Sequence, residues 1–404
     1  MSPAGAAPRR ESAHARLARA VQRVTGTVLG PYQSAVIRIG FAATWLLFLL
    51  REFPHRHELY GPHGPWGWDM ARQLVADNRS FTVLMWSDSV LWFEAVYALA
   101  VLSSALLLVG WRTRATSALF MVGVLSLQNR SVFMGDGGDN VLHLMAIYLV
   151  LTRCGQVWSL DARRRARRPE GRGADAAGVA LWAVLGLGPV AVLVFQDRSG
   201  EPWVAVLLWL LWLAQGAWWL VCRYAPGQPR VLLDVLANLL HNATLAVIMA
   251  EVCLIYATAG WYKIQGSRWQ DGTALYYPLN LDYFNPWPAV SDLLAGASVV
   301  VMLITYGTVI VQVAFPFTLF NRRVKNVLLA VMMMEHAGIA VLLGLPAFSL
   351  AMITADAVFL PTVFLLWVEG RARLAGRRLR PRRAAEEREQ GQAPDVPAPR
   401  TLVG

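Results

Sequence analysis

The feature that most limits what this chain can become is its series of long apolar runs. A bilayer-crossing helix needs about 20 mostly apolar residues, and ten stretches approach or meet that length: 33–51, 90–110, 114–131, 138–154, 176–196, 202–222, 231–257, 296–319, 324–345 and 348–369. Soluble domains cannot hide so much apolar surface. Only 16% of the 404 residues are charged and 56% are hydrophobic, against about 25% charged in ordinary soluble domains. The expectation is an all-α, polytopic membrane helix bundle of about ten transmembrane helices. The 114–131 and 138–154 runs are short or polar at one end, and 231–257 is long enough to tilt or project.

Basic residues supply an orientation. Counted between the runs, alternate segments hold 28 and eight Lys and Arg. Because such residues favour the cytoplasmic side, both termini are expected inside, with the long loops 51–89 and 259–295 outside. The net charge of +11 therefore reads as topology and lipid contact, with no nucleic acid implied. Residues 1–32 read as a basic cytoplasmic segment, residues 33–369 as the membrane domain, and 370–404 as a basic, disordered cytoplasmic tail. Residues 1–30 could lie as an amphipathic helix on the inner leaflet. The first apolar run lacks a cleavage motif and reads as a first span, with no cleaved signal peptide. Cys154, Cys222 and Cys253 are too scattered for a disulfide framework or a zinc site, and no metal is expected.

Ionisable groups in membrane segments are costly and mark candidate function. Arg38 lies near the inner end of the first run, where snorkelling would suffice. Glu94, Asp139, His143, Glu251, Glu335, His336 and Asp356 follow. Asp234, Asn238, His241 and Asn242 share one face of the seventh run. The loop Q-N-R-S-V-F-M-G-D-G-G-D-N, 128–140, would gather Asn129, Arg130, Asp136 and Asp139 at one outer rim. An interhelical polar clasp there is the plainer reading.

Only two of the 37 basic residues are lysines, Lys263 and Lys325. That bias toward arginine suggests a high-GC bacterium and, with it, a plasma-membrane location. It also singles out Lys263, which follows a long apolar helix and precedes Trp269, Asp271, Tyr276, Tyr277 and Tyr283. Arginine would serve for snorkelling. A desolvated lysine can act as a neutral base, which arginine cannot. General-base chemistry and an interfacial anchor are both open to it.

The stretch A-G-W-Y-K-I-Q-G-S-R-W-Q-D-G-T-A-L, 259–275, resembles the signature of the horizontally transferred transmembrane (HTTM) domain, the membrane part of vitamin K-dependent gamma-carboxylase. Supporting pieces occur in order: R-I-G-F-A at Arg38, E-L-Y-G-P-H-G-P-W at Glu58, Q-N-R-S at Gln128, G-D-G-G-D at Gly135, W-S-L-D-A at Trp158, E-H-A-G-I-A-V-L-L-G-L at Glu335 and F-S-L-A-M-I at Phe348. Together they cover most of 33–160 and 240–368. The resemblance implies that Lys263 is the base that deprotonates a reduced quinone such as vitamin K hydroquinone. His336 keeps its family type. The family's Asn-His pair falls on Asn129 and Arg130, a departure that removes a neutral imidazole. No counterpart is expected of the large lumenal region that follows the membrane part in the carboxylase. The inserted hairpin 176–222, whose aromatic load includes Trp203, Trp212, Trp218 and Trp219, has no family counterpart.

Three functions follow as expectations. One is a membrane component that assists maturation or export of a secreted peptide, or another envelope process. A second is a quinone-dependent epoxidase or carboxylase-like enzyme. It would use Lys263 as base, Asn129, Arg130 and His336 beside it, and Asp136, Asp139, His143, Glu251, Trp269 and Tyr277 around the substrate. The third is a transporter. The partners expected are the bilayer and a lipidic quinone or a secreted peptide.

Overall fold

A computed structural model describes residues 13–131, 133, 135, 137–167, 176–195 and 203–379. Asp136, residues 168–173 of the inner linker, and Arg380, Arg382 and Arg383 of the tail lie outside the described residues. Every regular element described is helical. Among the described residues, seven helices are long and apolar enough to cross a membrane, or eight if Pro346–Phe359 and Thr362–Ala375 count as one broken span. The chain thus has the make-up of a multi-pass membrane protein.

The helices run in order as follows. The first four are α1 (Ala13–Gly26), α2 (Pro31–Glu52), α3 (Arg56–Tyr60) and α4 (Trp68–Asn78). Three more come from the next apolar runs: α5 (Val90–Val109), α6 (Thr113–Gln128) and α7 (Gly137–Leu151). After α8 (Leu160–Arg167) come α9 (Ala176–Leu185), α10 (Leu187–Phe195) and α11 (Trp203–Tyr224). The longest is α12 (Gln228–Gln265). The loop beyond it holds α13 (Ser267–Gln270), α14 (Tyr276–Leu279) and α15 (Pro288–Gly296). The last four are α16 (Ser298–Ala314), α17 (Arg322–Leu342), α18 (Pro346–Asp356) and α19 (Thr362–Leu379).

Two compact units divide at Phe359. In the second, α19 carries a Glu369–Arg373 ion pair one turn apart and sets the Arg371 guanidinium over the Trp367 ring. The tenth apolar run, read from sequence as continuous over 348–369, is therefore broken. Pro361 lacks the N–H that a continuing helix would need.

In the first unit α2, α5, α6, α7 and α18 pack together. Small residues set the spacing, as they do where lipid supplies no hydrophobic drive between helices. A Cβ on Gly40 of α2 would lie 2.3 Å from Thr354 of α18, and one on Gly123 of α6 would lie 3.0 Å from Ala100 of α5.

Arg38 does not snorkel. It is fully buried, and its guanidinium caps the end of α5. Nη1 donates to the Leu108 carbonyl at 2.9 Å and also to that of Leu107, while Nη2 donates to Trp158 O at 2.7 Å. A helix C-terminus leaves such carbonyls without intrahelical partners and favours a cation. The chain turns there through Gly110 at φ 71°. A Cβ on Gly110 would lie 2.4 Å from Ser159 and 2.7 Å from Arg38. Asp161 then starts α6. Its carboxylate accepts from the Arg112 N–H, the Thr113 N–H and the Thr113 hydroxyl at 2.8–3.0 Å. Two motifs far apart in sequence, R-I-G-F-A and W-S-L-D-A, thus close a single turn.

The polar stripe of α12 has a similar structural task. Asn238 Nδ2 donates to Thr25 O, and Asn242 Nδ2 donates to Val24 O and Thr27 O, while Asn242 Oδ1 accepts from Leu29 N. Arg153 reaches both Asn238 Oδ1 and Asp234. His241 accepts the Arg153 N–H at Nδ1, so Nε2 carries the hydrogen that bonds Leu29 O. These groups clasp the end of α1 onto α12.

The hairpin 176–222 holds itself together. Trp182 and Trp212 stack at 4.4 Å, and each indole N–H donates to the other's carbonyl at 2.9 Å. Only 11% of either apolar window is buried, so the outer surfaces need lipid.

Asp161→Ala removes three hydrogen bonds from the first turn of α6 and is expected to cost about 1–2 kcal/mol. Arg38→Leu leaves the Leu108 and Trp158 carbonyls unpaired and is expected to cost more, at about 1–3 kcal/mol for each buried group left unpaired. Denaturation in detergent, read with the labelling rate of the buried Cys154 thiol, checks both.

Candidate functional site

Lys263 sits in the last turn of α12 itself, because the helix continues about eight residues past the apolar run to Gln265. Tyr256, Gly260 and Lys263 are spaced four and three apart, so they share one helix face. That face meets α16. Gly260 is what lets α16 come close, since a Cβ there would lie 2.6 Å from Val313 Cγ2. The neighbouring residue, Gln312, then reaches the lysine.

Lys263 Nζ donates to Gln312 Oε1 at 2.8 Å, and Gln312 Nε2 donates to Glu335 Oε1 of α17 at 2.8 Å. Gln312 is buried. Lys263 and Glu335 are half-buried. An amide therefore stands between the cationic and anionic side chains. The face of the Trp269 ring lies 5.2 Å from Nζ, within cation–π range.

Two turns deeper along α12 lies a second group. The Tyr256 hydroxyl donates to Asp356 Oδ2 at 3.0 Å and contacts His336 Nε2 at 3.1 Å. All three residues are buried. With Tyr256 donating to Asp356, the imidazole Nε2–H bonds the phenol oxygen. His336 Nδ1 and Asp356 Oδ1 have no hydrogen-bond partner among the described residues. Phe348 packs edge-on to His336 at 5.6 Å, and Phe315 to Tyr256 at 6.0 Å. Glu335 and His336 are consecutive, so α17 presents one acid to the lysine group and one imidazole to the tyrosine group.

The other sequence candidates are dispersed. Asn129 donates to Phe81 O at 2.8 Å, and Arg130 is buried among the carbonyls of Gly61 and Trp66. Both act in the 61–81 loop, with no hydrogen bond to Lys263. Asp139 receives Gln128 Nε2 at its carbonyl and Oδ1, both 3.2 Å, which is the expected clasp between α6 and α7. His143 is half-buried on α7. Glu251 is also half-buried, on α12. Tyr277 is exposed under the Arg268 guanidinium at 4.8 Å. Asp271 is a turn residue, and its bonds from the Thr273 hydroxyl and N–H hold the carboxyl below the usual range.

Two members of the assembled site escaped sequence reading. Gln312 carries no charge and stands out only as the amide in an apolar run. Tyr256 passes as an ordinary interior aromatic.

No family model, curated protein or solved structure matches the chain.

Gly260→Ala is expected to push α16 away and cost about 1–3 kcal/mol, the usual range for overpacking. Val313→Ala in the same chain is expected to restore most of that loss. Thermal unfolding of the two variants in detergent reads it.

Proposed function

We propose that the chain is an HTTM-type protein of a bacterial plasma membrane. In this reading it has ten crossings and both termini in the cytoplasm. The Lys263 group is a general-base site acting on a lipid-borne, quinol-like substrate. The observation that carries the reading is the Lys263–Gln312–Glu335 array.

A direct lysine–carboxylate contact would hold the ammonium form. Gln312 keeps the two apart by one amide while accepting a single N–H from the lysine. As a neutral amine, Lys263 would keep a lone pair for the O–H of a substrate. Once it takes that proton, the ammonium is stabilised by the Glu335 charge across the amide and by the Trp269 face. Trp269 also offers a flat wall to an aromatic ring. Trp261 and Tyr262, on the same last turns of α12, are 61% and 73% exposed, which suits entry from the bilayer side. The half-buried setting limits competing water. Asn129 and Arg130 have no part in this step, and glutamate carboxylation is not proposed.

The role in peptide maturation or export draws on a different observation. The α9–α11 hairpin is held by its own tryptophan pair and is little buried by the rest of the chain. It thus offers a membrane-embedded face to a protein partner. Co-purification from native membranes tests that role.

For the enzyme reading, the full chain in lipid nanodiscs is given a reduced naphthoquinone and oxygen, and quinone and epoxide are followed. Lys263→Met and Lys263→Arg are each expected to lower the rate about 100-fold or more, the usual weight of a general base. Gln312→Glu, which sets a carboxylate directly on the lysine, is expected to lower it as well. An unchanged rate in Lys263→Met would end this reading.

A further inference from the structure

Arg130 lies just beyond α6, only 1% exposed. Its Nη2 donates to Gly61 O and Trp66 O, each at 3.0 Å, while Nη1 has no hydrogen-bond partner among the described residues. Its own carbonyl accepts from the Trp66 indole at 3.0 Å. None of the ion pairs among the described residues includes it. A guanidinium removed from water without counter-charge costs several kcal/mol, and proteins seldom leave one so.

Beside it is a cavity. Arg130 lines a partly open space of about 10 Å³ together with Tyr60, Trp68, Ser87, Phe93 and apolar neighbours. That is room for about one water molecule, and a larger occupant would extend into the open side of the space. Each polar side chain on its wall can donate a hydrogen bond and none is anionic. Ser87 Oγ accepts the Ser89 N–H at 3.1 Å, which leaves its own O–H to donate. Tyr60 adds a phenol, and Trp68 and Phe93 supply aromatic walls. Water would fill such a space but would leave the charge uncompensated.

We propose that this cavity binds a small monovalent anion, either a halide or the head of a carboxylate, with Arg130 as its counter-charge. Phosphate and sulfate are too large and too highly charged for the space. The site lies in the 60–87 loop region and stands or falls independently of the Lys263 chemistry.

The full chain in detergent and chloride-free gluconate buffer is titrated with bromide, a heavy-atom quencher, while tryptophan fluorescence is read. The expected result is a saturable component that is missing in Trp68→Phe, with a thermal midpoint that rises over the same range. Chloride and formate are then added as competitors. Displacement by chloride identifies a halide site, and preferential displacement by formate a carboxylate site. Arg130→Gln is expected to weaken binding about tenfold or more, since charged hydrogen bonds carry that weight. Because Arg130 also ties down residues 61–66, Ser87→Ala serves as a milder variant and is expected to weaken binding about threefold. Purely linear quenching, a midpoint indifferent to the anion, or equal binding in folded Arg130→Gln would overturn the proposal. So would an anion effect that emerges only in Asp136→Asn, because the chain would then carry its own counter-charge.

Discussion

One buried guanidinium closes the turn on which much of the packing depends. Arg38 leaves α2 sideways and ends α5 by bonding its last carbonyls, and in the same reach it takes Trp158 O from the segment after α7. Leu107 O also takes the Gly110 N–H, so the guanidinium chiefly satisfies Leu108 O and Trp158 O, and an unpaired buried polar group costs more than a made hydrogen bond returns. Asp161 completes the arrangement by capping α6. Helices α2, α5, α6 and the end of α7 are thereby held at one level. Gly110 is required because any side chain there would occupy the space of Ser159 and Arg38.

The long helix α12 links this basic end of the bundle to the candidate site at the other. At about 1.5 Å per residue, its 38 residues reach well beyond a hydrocarbon layer of about 30 Å. Its first half spends its polar groups on α1: Asn238, His241 and Asn242 all bond to the backbone of residues 24–29. Its last turns carry Tyr256, Gly260 and Lys263 toward α16, α17 and α18. Polarity in one helix therefore has two meanings, distinguished by what each side chain touches.

That distinction marks how far sequence reasoning went. The pattern of apolar runs was legible because hydrophobic length is a local property, and so was the stripe of Asp234, Asn238, His241 and Asn242, which depends only on helical period. The scarcity of lysine brought Lys263 forward as a candidate. The partner that holds it did not emerge, because Gln312 is 49 positions away and uncharged. Arg38 was open to a snorkelling reading for the same reason, since its acceptors are 69 to 120 residues distant. The loop residues Asn129 and Arg130 invited grouping with the lysine through resemblance, yet their bonds go to Phe81, Gly61 and Trp66.

From the amino acids alone came a helical membrane chain, an uneven distribution of arginine along it, and one lysine standing apart in a chain that prefers arginine. Each follows from composition and period, which need no knowledge of neighbours. Tertiary structure decided which polar groups are consumed in holding helices together and which remain for chemistry. It placed an amide between Lys263 and Glu335, joined His336 to Asp356 through Tyr256, and left Arg130 beside a cavity with no ion-pair partner among the described residues. The helix contacts among them rest on the close approach that residues such as Gly40 and Gly260 permit, and backbone spacing between distant segments is set only when the helices pack.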